Sequence, residues 1–126
     1  MKQAVEPVPL ESIEQQYLFQ WARMQSGAYP ELGLMYHIPN GGSRNKAEAA
    51  RLKGEGVRAG VPDICLPVAR RGKHALYVEL KRRKGGRVSG DQSAWLAALE
   101  GQGNAAHVCE GWDAAADVIM NYLREV

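Results

Sequence analysis

The sequence predicts an α/β fold: a mixed central β-sheet flanked by helices on both sides. Three observations predict it. Two short apolar runs, Ile64-Cys65-Leu66 and Leu76 to Lys81, flank a basic turn centred on Gly72 and read as one hairpin. Helical stretches with capping signals stand before and after that hairpin. The order α, β, α, hairpin, α, β, α, joined by short connections, suits one layered domain.

Residues 1–10 carry two prolines, Pro7 and Pro9, and little pattern, and read as a loose arm before a single domain over 11–126. Ser12 and Gln15 fit a capping box for a first helix running to Met24 or Gln25. Ile13, Tyr17, Trp21 and Met24 follow at spacings of four, four and three, which predicts a core stripe. Glu14 in the first turn complements the helix dipole. Leu34 to Ile38 is a strand candidate that holds His37, read as a strand histidine. Pro39-Asn40-Gly41-Gly42 then marks a turn offering backbone amides without side-chain bulk, suited to a phosphate. Asn40, Gly41 and Arg44 are candidate nucleic-acid contacts.

Ser43 or Asn45 caps a second helix ending near Lys53, with Gly54 as its stop. Arg44, Lys46, Arg51 and Lys53 form its exposed basic face, and Arg58 follows in a glycine-rich approach to Pro62-Asp63. In the hairpin, period 2 puts Tyr77, Glu79 and Lys81 on one face and Leu76, Val78 and Leu80 on the other. Antiparallel pairing brings Asp63 across from the region of Glu79 and Lys81. Two carboxylates that close repel each other, and a hard divalent cation with oxygen ligands relieves them. Arg82, Arg83 and Lys84 continue the strand as a basic run and, with Lys53 and Arg58, are further candidate nucleic-acid contacts. Ser89 and Gln92 make a second capping box, opening a helix to about Glu100 with Trp95, Leu96 and Leu99 inward. Ala105 to Cys109 is a strand beside the hairpin. Asp113 caps a last helix with Ala116, Ile119, Met120 and Leu123 as its core stripe.

Pro62-Asp63 and Glu79-Leu80-Lys81 resemble the two signature pieces of the PD-(D/E)xK nuclease superfamily. Ile38-Pro39-Asn40-Gly41-Gly42, Val57-Arg58-Ala59-Gly60-Val61-Pro62-Asp63 and Ser89-Gly90-Asp91-Gln92 narrow the resemblance to its VRR-NUC family, over nearly the whole chain. The resemblance implies a restriction-endonuclease-like core and a metal-dependent DNA endonuclease. Asp63, Glu79 and the Leu80 carbonyl would hold Mg²⁺ or Mn²⁺, and Lys81 would position the attacking water. By the same resemblance an acid of the first helix reaches the metal. Glu14 is the matching position and Glu11 its competitor. Gln92 would stand beside the catalytic site as well as capping its helix.

The 126 residues suffice for one domain with a real core. Residues 44–87 hold 13 Lys/Arg against four acids, net +9, while the remainder is net −7. That asymmetry suggests a surface facing a polyanion. No stretch approaches a membrane span or a signal sequence. Cys65 and Cys109 fit no disulfide framework, which suits a cytoplasmic, reducing setting. Nothing resembles a dedicated base-reading domain, so recognition by backbone and shape is expected. The stand-alone family members imply a homodimer that resolves Holliday junctions. The alternatives are a flap or nicking nuclease working with a helicase or methylase, and a non-catalytic DNA-binding module.

Overall fold

The hairpin forms as its pattern dictates. Ile64–Leu66 (β2) and Leu76–Lys81 (β3) pair antiparallel, with Ile64 opposite Val78 and Leu66 opposite Leu76. The structure, a computed structural model, describes residues 7–40 and 45–124. Gly41 and Arg44, both expected to touch nucleic acid, lie outside the described residues. Tyr36–His37 (β1) pairs antiparallel with β2, and Ala105–Glu110 (β4) runs parallel to β3. The sheet is therefore mixed, in the order β1-β2-β3-β4. The first strand is shorter than its sequence predicts, because Pro30–Leu34 closes as a 3₁₀ turn instead of extending.

Helices Glu11–Gln25 (α1), Lys46–Gly54 (α2), Gly90–Gly101 (α3) and Trp112–Arg124 (α4) complete the fold. Leu76, Val78 and Leu80 point to one face of the sheet, where they pack with Leu18 and Ala22 of α1 and Ile119 of α4. Glu79 points to the opposite face, where α3 reaches it through Gln92. Asn45 caps α2 by accepting from the amides of Ala47 and Glu48, and the Ser89–Gln92 capping box opens α3 as expected. Tyr122 donates its hydroxyl to the Val68 carbonyl, tying α4 to the chain after β2. Both cysteines are free and buried, and burial pushes the Cys109 thiol up to about 11. Among the described residues no helix is long and apolar enough to cross a membrane.

The first helix departs from its expected register. It starts after Leu10 with no side-chain cap, so Ser12 lies inside the helix rather than at its boundary. Its buried residues are Glu14, Leu18 and Ala22, while Ile13, Tyr17 and Met24 are exposed. A buried glutamate on the core face is tolerable only because a partner from elsewhere meets it. Arg83 supplies two hydrogen bonds, at 2.8 and 2.9 Å.

Candidate active site

The sheet register builds the site. With Ile64 opposite Val78, the preceding Asp63 stands beside Glu79 on the same face. Asp63 is pinned from two sides. Its carbonyl accepts from the Ile38 amide at 2.7 Å and lies 2.8 Å from His37 Nδ1. Its carboxylate accepts from the Leu80 amide at 2.8 Å. Gly60 lets the chain reach this position, since its φ of +83° is left-handed and a Cβ there would stand 2.8 Å from the Asp91 Cβ on α3.

Glu79 is 2% exposed. Its Oε1 accepts from Gln92 at 3.1 Å and lies 3.5 Å from Lys81 Nζ, while its buried Oε2 has no hydrogen-bond partner. Burial pushes its carboxyl up to about 8, repulsion from Asp63 adds to the rise, and Lys81 opposes it. Lys81 is itself buried, with its ammonium also 3.9 Å from Glu11 Oε1. Gln92 caps its helix and reaches Glu79 at the same time. Its amide oxygen accepts from the Ser89 amide at 2.9 Å while its nitrogen donates to Glu79.

Glu14 does not stand at this site. Arg83 engages both its carboxylate oxygens, and the Trp112 amide donates to Oε1 at 3.2 Å. These bonds, led by those from Arg83, hold its carboxyl below the usual range. The α1 acid that does line the cavity with Asp63 and Leu80 is Glu11, one turn earlier, beside Ser12, Gln15 and His37. That cavity measures about 180 Å³. The helical spacing of Glu11 and Gln15, one turn apart, was the available signal; the burial of Glu14 was not foreseeable without Arg83. His37 sits at the cavity although its sequence context gave it no chemistry.

Two of the basic residues expected on DNA are used within the protein instead. Arg82 donates to the carbonyls of Pro9 and Val8, holding the end of the N-terminal arm. Arg83 is committed to Glu14 and, at 3.3 Å, to Asp113. Lys84 remains exposed. Asn40, Lys53 and Arg58, separated in sequence, converge around one cavity of about 250 Å³ with Ala49, Val57 and Ala59 as its apolar walls. Among the described residues no group of three or more His, Cys, Asp or Glu is gathered as a metal cluster, so a cation would draw on two carboxylates and other oxygens. The orphaned Glu79 oxygen beside Asp63 fits that donor set.

No curated protein matches the chain. A solved structure described as a VRR_NUC domain protein superposes with a TM-score of 0.81 at 27% identity, covering 96% of this chain and 93% of its own. The VRR-NUC domain model matches residues 3–113. With most of the chain inside that match, and the same fold in a solved structure of that description, the chain belongs to the VRR-NUC domain family, a nuclease family.

Proposed function

We propose that the chain is a metal-dependent, structure-selective DNA endonuclease that hydrolyses phosphodiester bonds as a homodimeric Holliday-junction resolvase in the cytoplasm. One observation carries the catalytic part. A buried carboxylate, Glu79, stands beside Asp63 with one oxygen unpartnered and its carboxyl pushed up to about 8. Leaving such a group without a partner costs free energy, and a cation removes that cost.

Asp63, Glu79 and the Leu80 carbonyl would hold Mg²⁺ or Mn²⁺, with Glu11 in reach from α1 in place of Glu14. When bound, the ion supplies Lewis-acid stabilisation of the phosphate and acidifies water. The chain's own residues do the rest. Gln92 orients Glu79 by its amide nitrogen. Lys81, held between Glu79 and Glu11, orients water and offsets charge that grows on the phosphate. Asn40, Lys53, Arg58 and Lys84 offer contacts to the DNA backbone around the site. For a Lys81→Ala variant the cleavage rate falls by roughly 10²–10³-fold while metal affinity changes far less.

The test is cleavage of a labelled four-way junction, a flap and plain duplex with Mg²⁺, Mn²⁺ or EDTA, for wild type and Glu79→Ala. Paired, metal-dependent cuts on the junction that vanish in the variant support the full reading. Cuts on flap or duplex alone keep the nuclease and discard the resolvase. Binding without any cleavage leaves a DNA-binding module.

A further inference from the structure

His37 lines the cavity of about 180 Å³ that Glu11 shares with Asp63 and Leu80, yet one of its ring nitrogens has no hydrogen-bond partner among the described residues. It stands on β1, an edge strand, opposite Ile64, and it is exposed. Its Nδ1 lies 2.8 Å from the Asp63 carbonyl oxygen. A carbonyl oxygen can only accept, so Nδ1 is the nitrogen that carries hydrogen. In the neutral ring this makes Nε2 a lone pair. Asp63 thus fixes both the tautomer and the placement of the ring.

A lone pair at this place selects its occupant. Phosphate oxygens only accept hydrogen bonds, so Nε2 in this tautomer does not bind the DNA backbone. Among the described residues no three His, Cys, Asp or Glu gather as a metal cluster, so the ring does not complete a ligand set with the nearby carboxylates. What remains is a group that carries O–H, and hydrolysis of a phosphodiester brings one, the attacking water. The neighbouring polar groups do not compete for it. Lys81 is an ammonium and only donates. Asp63 Oδ2 already accepts from the Leu80 amide, and Glu79 Oε1 from Gln92. Ser12 and Gln15 also line the cavity, but among the described residues no hydrogen bond fixes their side chains, whereas the His37 ring is held in place. An acceptor that is already oriented gives up less freedom on meeting the water.

We propose that His37 is a further catalytic residue, whose Nε2 accepts a hydrogen bond from the attacking water. The inference rests on the reading of the chain as a nuclease that hydrolyses phosphodiester bonds. Lys81 donates toward the water oxygen and His37 takes one of its hydrogens, so two contacts of complementary kind set its orientation toward phosphorus. Asp63 couples them to the rest of the site, because its main chain holds the ring while its carboxylate serves the ion.

The test separates the two ring nitrogens. His37→Asn keeps an N–H donor bonded to Cγ, as Nδ1 is, and removes the acceptor at Nε2. His37→Gln keeps an acceptor one bond further out, near the reach of Nε2. Single-turnover cleavage is measured on whichever of the junction, flap and duplex the wild type cuts, beside the thermal midpoint and DNA binding by fluorescence anisotropy in EDTA. His37→Asn is expected to cut about 10²-fold more slowly, with midpoint, DNA affinity and half-saturating protein concentration unchanged. His37→Gln should cut faster than His37→Asn. A ring that only anchors Asp63 gives another pattern, since keeping the donor then keeps the rate. Cleavage by His37→Asn at the wild-type rate therefore overturns the proposal, as does a loss of DNA affinity that accounts for slower cutting. So does a folded His37→Gln no faster than a folded His37→Asn. If His37→Asn melts early, His37→Gln decides alone: a rate near wild type supports the acceptor, and a loss of about 10²-fold overturns it. Wild type inert on all three substrates with either ion overturns the nuclease reading itself, whatever the variants do.

Discussion

At the scale of single residues, the candidate site turns on how two glutamates are buried. Glu79 has its carboxyl pushed up to about 8 from an ordinary value of 4.5. Between those values the folded chain holds a proton that the unfolded chain has lost. The contribution of Glu79 to metal-free stability is therefore full below about pH 4.5 and falls as pH rises toward 8. A cation needs the ionised form, so apparent Mg²⁺ or Mn²⁺ affinity should climb up to tenfold per pH unit and level off above about 8. Calorimetric titration across that range checks it, and an unchanging affinity would exclude Glu79 as a ligand. Glu14 has the opposite shift, lowered by Arg83, so its stabilisation is present above its unfolded value and disappears as pH falls through its folded one. Glu14→Gln should lower the thermal midpoint at neutral pH, and lower it less in acid. Glu11→Gln should leave the midpoint nearly unchanged but slow cleavage by about 10–100-fold. The reverse pattern, with Glu14→Gln stable and inactive, would return the site role to Glu14.

At the scale of elements, the hairpin, both caps on α2 and α3, and the β4 strand were legible because each rests on local chemistry. Asn45 and Ser89 reach amides two or three residues away, and the alternation in β3 needs no distant partner. The face of α1 was not legible. Its apolar stripe at Ile13, Tyr17 and Met24 is exposed, and burial of Glu14 depends on Arg83, 69 residues further along. A similar separation hid the internal use of Arg82, which looks basic and free in sequence but holds the carbonyls of Val8 and Pro9. Asp63 and Glu79 were legible as a pair because a hairpin register connects them, whereas Glu11 depends on how α1 crosses the sheet. The loop into β2 makes its own prediction. At Gly60 a Cβ meets the Asp91 Cβ at 2.8 Å and the φ of +83° disfavours it. Gly60→Ala should destabilise the fold by about 1–3 kcal/mol and displace the Asp63 approach from α3. Chemical denaturation and cleavage should then fall together. An unaltered midpoint with lost cleavage would mean that Gly60 serves DNA approach instead.

At the scale of the molecule, the basic charge is concentrated in residues 44–87, net +9, and exposed apolar residues gather on the first helix. Ile13, Tyr17 and Met24 leave an apolar stripe along α1, with Leu10 exposed just before it. Met24 is 82% exposed, and Tyr17, Trp21 and Met24 border a hollow closed by Trp112. Exposed apolar surface that is continuous along a helix favours association, and two copies meeting there by two-fold symmetry would present two sites to two strands. This is the face on which the proposed homodimer would form. Its disruption is therefore a test of the resolvase separate from any test of the acids. Tyr17→Glu with Met24→Glu should shift the protein from dimer to monomer in sedimentation without changing its circular dichroism. The same variant should still nick branched DNA but lose the simultaneous second cut, measured as linear product from a cruciform plasmid. If it stays dimeric, the two-fold axis lies on another face; if wild type is already monomeric and makes paired cuts, pairing does not come from a dimer at all.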